Sequence, residues 1–185
     1  MYQTFTNAIT DRQIAALTRE SSDRQAAAER IESQRYRLVG NHVVSTAAFR
    51  FSETGPTMAA FLRSGVLTGL LRTHVGVDLE PVDTSYNYYD VGDHIGIHRD
   101  APSCRYAALI TLSPTIQPLI LYPELAPLDG RAMHERIRAG RLGHEEHVTL
   151  PYLGVVVLHG SVVPHQRPTS TRACSVTTVC FGRAA

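Results

Sequence analysis

From residue 83 onward the chain divides into short apolar segments, and this pattern constrains the fold more than any other feature of the sequence. Glycine or proline interrupts the chain at Gly92, Pro102, Pro114, Gly154 and Pro168, among other positions. Many short strands with few intervening helices are typical of an all-β sandwich or barrel, not of a parallel α/β sheet. The predicted strands are 85–89, 95–99, 106–113, 118–122, 146–151, 154–159, 162–167 and 173–181.

The first 80 residues predict a helical and mixed region that supports this sheet. Asp11 is expected to cap a short helix, and Asp23 a second helix over 24–34, where Ala, Glu and Arg predominate. Apolar residues at helical spacing predict one further helix over 56–75. These helices either support the sheet or form the contact of a possible homodimer.

Length and composition favour a single domain over residues 1–185. The hydrophobic fraction of 43% is enough for a core, and the formal net charge of +1 gives no electrostatic support for nucleic-acid binding. No apolar run reaches the ~18 residues that span a membrane, and the N-terminus lacks the pattern of a signal peptide. We therefore expect a cytoplasmic protein with no nucleic-acid or membrane partner.

Two residue types limit the chemistry further. The three cysteines are predicted to be free, largely packed thiols, because their number is odd and no Cys-x-x-Cys occurs. All 18 basic residues counted as Lys or Arg are arginines. A carboxylate ligand that is bound by a cationic side chain must therefore be bound by Arg, whose fork matches a carboxylate, or by protonated His.

A His-x-Asp motif, His98 and Asp100, lies at the end of a predicted strand. Residues i and i+2 of a strand point to the same face, so the imidazole and the carboxylate can converge on one ion. His165, 67 positions later, lies in another predicted strand. Two histidines and one carboxylate form the facial triad that suits non-haem Fe(II) and leaves coordination positions open.

Other histidines compete for these positions on weaker grounds. His94 has no acid two residues later, and His159 lacks the Pro and Arg that surround His165, so it is expected to be structural or to face the substrate. His144 and His147 lie in a charged segment without further partners, which favours a surface turn. The motif alone would be a coincidence in many chains, and its context decides the interpretation.

That context resembles the Fe(II)/2-oxoglutarate-dependent oxygenases, most of all the prolyl-hydroxylase-type branch. The resemblance covers about residues 83–181. It is carried, in chain order, by Tyr89-x-x-Gly92, His98-x-Asp100, the strand-opening Arg105, Pro151-x-x-Gly154, and His165 followed by arginines.

The resemblance implies a double-stranded β-helix, a jelly-roll relative of the cupins, as the catalytic core. His98, Asp100 and His165 would bind Fe(II), and 2-oxoglutarate and O2 would be co-substrates. Arg172 would hold the distal carboxylate of 2-oxoglutarate, with Arg167 as the rival because Arg172 follows His165 more closely than usual.

The resemblance also suggests residues around the co-substrate and the substrate. Tyr89 is the best match for a tyrosine of the keto-acid pocket, and Tyr88 is its rival, since pleating puts the two on opposite faces. The residues expected to face the substrate or to support the ligands are Asn87, Arg105, His159 and Arg167.

The implied activity is decarboxylation of 2-oxoglutarate to succinate with hydroxylation, or another oxidation, of a small-molecule or amino-acid-like substrate. Because Asp100 is present where halogenating relatives have a small residue, halogenation is not expected. The alternatives are a peptidyl hydroxylase, a cupin-like metal enzyme that does not use 2-oxoglutarate, and a non-enzymatic binding module. The segment 128–143 is predicted to be a short helix or insertion, either a lid or a plain surface loop.

Overall fold

The computed structural model describes residues 2–76 and 78–183. Within these residues the chain forms four α-helices: α1 (Asp11–Gln25), α2 (Pro56–Arg63), α3 (Val66–Val75) and α4 (Gly130–Arg138). The strands are β1 (Tyr2–Phe5), β2 (Glu29–Ser33), β3 (Arg37–Val39), β4 (His42–Val44), β5 (Ala47–Glu53), β6 (Glu80–Tyr89), β7 (His94–His98), β8 (Tyr106–Thr111), β9 (Leu119–Leu121), β10 (Glu146–Val148), β11 (Val155–Leu158), β12 (His165–Arg167) and β13 (Cys174–Gly182). Among the described residues, no helix is long and apolar enough to span a membrane.

Antiparallel pairing joins the strands into one sheet that folds over on itself. The order is β1-β11-β8-β13-β6-β5-β7-β12-β9-β10, with β2 paired to β5, while β3 and β4 form a separate hairpin. β5 pairs with β6 through residues 50–53 and with β7 through Ala47 and Ala48, and so connects the two halves. A buried cluster between the halves contains Leu109 and Val176 from one and Leu119 and Leu121 from the other. The predicted double-stranded β-helix is confirmed.

The N-terminal helix differs from the prediction at both ends. Thr10, not Asp11, caps α1, because its backbone and side chain exchange hydrogen bonds with Gln13 in a capping box. The helix then continues through Ser22, whose hydroxyl donates to the carbonyl of Thr18. The helix predicted over 24–34 is wrong: residues 29–33 form β2, since pairing with β5 outweighs their helix propensity.

The single helix predicted over 56–75 is divided in two. Gly65 has a left-handed backbone, φ +76°, between α2 and α3. Helices α1 to α3 cover the outer face of the first half of the sheet and complete its main core, where Ile14, Met58 and Leu71 pack with Tyr86 of β6. These three helices therefore pack on the sheet through the residues of this core.

Helix α4 lies in the segment 128–143 and covers the outer face of the second half. Met133 packs with Val43 of the hairpin and with Tyr122. The guanidinium of Arg99, the residue between the two motif residues, donates to the carbonyls of Leu125, Ala126 and Leu128 and anchors the segment. The predicted short helix is confirmed, and it packs against the outside of the sheet instead of lining the cavity described below.

Candidate metal centre

A cavity of about 180 Å³ lies between the two halves of the sheet, and the motif residues lie in its wall. Strands β7 and β12 contribute the histidines on one side, and β6, β8 and β13 form the opposite side. It is smaller than the roughly 300–1,000 Å³ of cavities for drug-sized ligands. The fold therefore provides a small, partly open cavity at the position of the motif.

Strand pairing brings His98, Asp100 and His165 together. His165 of β12 is the register partner of His98 of β7, so a separation of 67 residues becomes a contact between neighbouring strands. The Nε2 atoms of both histidines lie 3.6 Å from Oδ1 of Asp100. One ligand atom from each residue lies within 4.8 Å of the others, in the one such cluster among the described residues. The convergence expected of the motif is present.

Backbone carbonyls fix the orientation of both imidazoles. Nδ1 of His98 lies 2.9 Å from the carbonyl of Gly96, and Nδ1 of His165 lies 2.9 Å from that of Val163. Because a carbonyl only accepts, Nδ1 carries the proton and the Nε2 lone pair faces the centre. Metal-bound histidines in proteins usually have such a partner on the second nitrogen.

The three residues fit a metal ion well. Separations of 3.6 Å between Nε2 and Oδ1 are too long for hydrogen bonds but short enough for both atoms to reach one ion at the usual ligand distances of about 2.0–2.2 Å. Two neutral nitrogens and one anionic oxygen form the donor set of the facial triad. The arrangement suits Fe(II) and similar divalent ions.

Electrostatics of the metal-free centre favour an anionic Asp100 and a neutral His165. Burial raises the pKa of Asp100, but the neighbouring His165 and His98 outweigh it, so this pKa lies below its usual value. Burial, together with the charge of His98, lowers the pKa of His165 to about 4. Burial lowers the pKa of His98, but the negative charge of the neighbouring Asp100 carboxylate and the carbonyl of Gly96 outweigh it, so this pKa lies above its usual value. The carboxylate is ready to bind a cation without losing a proton.

At one end of the cavity lies a buried arginine without an acidic partner. Arg167 is 5% exposed, and within residues 2–76 and 78–183 it forms no ion pair with a carboxylate. Its guanidinium donates to the carbonyl of Gln117 at 3.3 Å and lies 5.3 Å from the ring centre of Tyr89. Burying a charge without a partner is costly, so this arrangement indicates a site for an anion.

Tyr89 lines the cavity, as expected, whereas its rival Tyr88 does not. The Tyr89 ring lines the cavity and stacks on Phe49, and burial raises its pKa to about 12, so it carries a hydroxyl that can donate. The Tyr88 hydroxyl faces the other side of the sheet, where it contacts Ser52 and the carbonyl of Ser21. Successive side chains of a strand point to opposite faces of the sheet, so Tyr88 and Tyr89 lie on opposite faces, as predicted.

Arg172 does not reach the cavity, which disagrees with the role expected for it. It is exposed and lies on the loop between β12 and β13. Ser170 ties that loop to the turn before β7, because its backbone bonds with Gly92 and Asp93. The spacing of two positions keeps His165 and Arg167 on the cavity side of β12, whereas Arg172 lies exposed on the loop that follows.

The remaining expected residues divide into two groups. Asn87 lines the cavity, and its amide donates to the hydroxyl of Thr178 at 3.0 Å. Arg105 and His159 do not line it: His159 stacks on Tyr106, with ring centres 4.4 Å apart, and Tyr106 packs against the helical core. Thr178 was missed from the sequence, although its alternation on the same strand as Val176 is a signal for that face.

The cysteine prediction is wrong for two of the three residues. Cys104 and Cys180 form a disulfide, with a separation of 76 residues, while Cys174 is a buried free thiol. Cys180 of β13 is the register partner of Ala107 in β8, which places it beside Cys104 just before that strand. Sequence spacing could not reveal this pairing, because it depends on which strands are neighbours.

Comparison with known proteins is informative only at the level of structure. No protein-family profile and no curated sequence matches the chain. A prolyl-4-hydroxylase from Pseudomonas putida matches with a TM-score of 0.67 and 16% identity, covering 100% of this chain and 93% of that one.

Two further solved structures are also similar to the chain. The α-ketoglutarate-dependent epimerase SnoN of nogalamycin biosynthesis matches with a TM-score of 0.74 and 13% identity, covering 99% of this chain and 76% of that one. HygX from Streptomyces hygroscopicus, solved with nickel and 2-oxoglutarate, matches with a TM-score of 0.66 and 12% identity, covering 99% and 83%. The resemblance to this group is confirmed in three dimensions: the chain has the fold of the 2-oxoglutarate- and Fe(II)-dependent oxygenases.

Proposed function

We propose that this protein is an Fe(II)- and 2-oxoglutarate-dependent oxygenase that oxidises a small-molecule or amino-acid-like substrate. The observation that supports this most strongly is one small cavity with two charged features. His98, Asp100 and His165 form a metal-binding triad, and Arg167 provides a buried cation with no acidic partner. A chelating keto acid with a second carboxylate is the ligand that satisfies both.

In this proposal His98, Asp100 and His165 hold the iron, and Arg167 replaces Arg172 as the residue that binds the distal carboxylate. The guanidinium offers a bidentate fork, and burial keeps water from competing for it. The Tyr89 hydroxyl, beside Arg167, is a second donor for the same carboxylate.

Iron with bound 2-oxoglutarate and O2 supplies the oxidising chemistry, in which the keto acid becomes succinate and CO2. The chain holds the ligands in register, keeps the carboxylate of Asp100 anionic, and places the reacting groups in a cavity whose wall is partly apolar. Since Asp100 occupies the carboxylate position, the expected outcome is oxygenation or a related oxidation, not halogenation.

The substrate class follows from size and polarity. Beside the charged groups, the cavity is lined by apolar residues such as Leu109 and Val176 and by the neutral polar Ser85, Asn87 and Thr178. This suits one small group of a substrate. A side chain of a peptide substrate is also small enough for this cavity. A cupin-like enzyme that does not use a keto acid would leave the buried Arg167 without a role. Cytoplasmic location, the absence of a nucleic-acid partner and a homodimer stay predictions.

The test is an anaerobic titration of the metal-free protein with Fe(II), then with 2-oxoglutarate, following the weak visible band of an iron-chelated keto acid. A band that saturates at one equivalent of each supports the proposal. Iron binding without a band would favour the cupin-like alternative. If no metal binds, the triad is a coincidence of packing and the proposal is wrong.

A further inference from the structure

The two oxygens of the Asp100 carboxylate have different surroundings. Oδ1 faces the two histidines, at 3.6 Å from each Nε2. Oδ2 points the other way, against Gly160, and lies 3.8 Å from the sulfur of Cys104. The carboxylate therefore offers one oxygen to the centre and rests the other against backbone.

Gly160 leaves the space that Oδ2 fills. A Cβ at position 160 would lie 1.8 Å from Oδ2 and 2.7 Å from Cγ of Asp100, which no real pair of atoms tolerates. The backbone at Gly160 is not left-handed, so alanine could adopt it, and the need for glycine is one of space alone. A side chain at position 160 would therefore force the Asp100 carboxylate out of its present orientation.

The backbones of the two residues are also tied. The Asp100 amide donates to the carbonyl of Gly160 at 3.0 Å, and the Gly160 amide donates to that of Leu158 at 2.9 Å. Asp100 cannot retreat from a new methyl group by a small backbone shift without breaking this bond. Its carboxylate would have to rotate, which moves Oδ1 away from the histidines.

We infer that Gly160 is a positioning residue that determines which oxygen of Asp100 faces the metal, and so sets the affinity of the triad for the ion. The inference rests on the proposed function, since it concerns the same metal centre. It extends the site to a residue that contacts neither metal nor keto acid. The sequence pattern gives this glycine no role beyond ending β11.

The experiment compares Gly160→Ala with two matched glycine variants. In Gly154→Ala the new Cβ would lie 2.3 Å from Pro151 and 2.6 Å from the Phe5 carbonyl, a similar clash outside the cavity wall. In Gly69→Ala on α3 it would meet nothing within 4 Å. Affinities for Fe(II) and Co(II) are measured anaerobically by calorimetry, per mole of folded protein counted by circular dichroism.

Gly160→Ala is expected to weaken metal binding about 10- to 100-fold, as loss of a ligand-orienting contact typically does. Both control variants should stay within about twofold of the wild type, because distant sites without shared partners interact only weakly. Equal weakening in Gly154→Ala, or unchanged affinity in Gly160→Ala, would overturn the inference and leave the proposed function standing. A wild type that binds no metal would overturn both.

A metal-free measurement covers the case in which Gly160→Ala folds poorly. The three atoms nearest to the added methyl all belong to Asp100, so removing that carboxylate should relieve most of the clash. Gly160→Ala should therefore lower the melting temperature much less in an Asp100→Ala background than in the wild type. Equal losses in the two backgrounds would show that the glycine supports the fold and not the carboxylate, contrary to the inference.

Discussion

The choice between Arg167 and Arg172 is the prediction on which sequence and structure differ most. We expect Arg167→Met to weaken 2-oxoglutarate binding strongly, and Arg172→Met to leave it nearly unchanged. Arg167 is 5% exposed in the cavity wall, whereas Arg172 lies exposed on a loop. Both variants lose one positive charge, so a difference between them cannot arise from the net charge of the protein.

The magnitude follows from the burial of Arg167. Truncating one partner of a buried, hydrogen-bonded ion pair costs about 2–5 kcal/mol, which is about 30- to 4,000-fold in affinity. An ion pair made by an exposed arginine is worth at most ~1 kcal/mol, so Arg172→Met should change affinity by less than about fivefold. Arg167→Lys should fall between wild type and Arg167→Met, because it keeps the charge but loses the fork.

The assay is the anaerobic titration of the Fe(II)-loaded protein with 2-oxoglutarate, with the metal affinity of each variant measured first. The unfolding free energy of the metal-free protein serves as a control: replacing a buried charge that has no acidic partner should cost little stability. A large loss in Arg172→Met together with near wild-type affinity in Arg167→Met would refute the reasoning and restore the first expectation from the sequence.

Three other perturbations test the site and the fold. Asp100→Ala removes the one anionic ligand and should abolish 2-oxoglutarate turnover and metal binding at micromolar Fe(II); turnover that persists would contradict the ligand assignment. Glu20→Ala leaves the half-buried amide of Thr57, the buried amide of Met58 and the buried hydroxyl of Tyr86 without their acceptor, and should cost about 3–5 kcal/mol in urea unfolding. Burial raises the pKa of Glu20, but these hydrogen bonds outweigh it and leave the pKa below its usual value. The stability that Glu20 contributes is therefore present at neutral pH and is lost as the pH falls below about 4.5. If the stability difference between the wild type and Glu20→Gln does not shrink in acid, this reasoning is wrong. Cys180→Ser removes a disulfide between residues that are 76 positions apart. The loss of this cross-link should destabilise the oxidised protein by about 4 kcal/mol, from the entropy of the closed loop. An unchanged melting temperature under non-reducing conditions would show that the disulfide does not form.

The expectations that held depend on short-range geometry. The alternation of apolar residues marks strands because successive side chains of a strand face opposite sides, and the same rule places Tyr89 inside and Tyr88 outside. It also places His98 and Asp100 on one side, since they are two residues apart. Where one strand or one motif carries the information, the sequence alone was sufficient.

The expectations that failed depend on distant partners. The stretch 29–33 has good helix formers, but pairing with β5 makes it a strand, and Gly65 divides a helix that periodicity alone predicts as one. The disulfide between Cys104 and Cys180 exists because β8 and β13 are neighbours in the sheet. Local preference of about 1 kcal/mol per residue or less is easily outweighed by such long-range pairing.

The sequence by itself determined the strand-rich core and the approach of His98 to Asp100, because alternation along a strand and a spacing of two are local properties. Only the tertiary structure decided that His165 lies beside His98, that Arg167 and not Arg172 enters the cavity, and that Gly160 makes room for Asp100. Each of these depends on the register of strands far apart in the chain or on the direction of a loop. That register is fixed by burial of the whole sheet, which no single segment encodes.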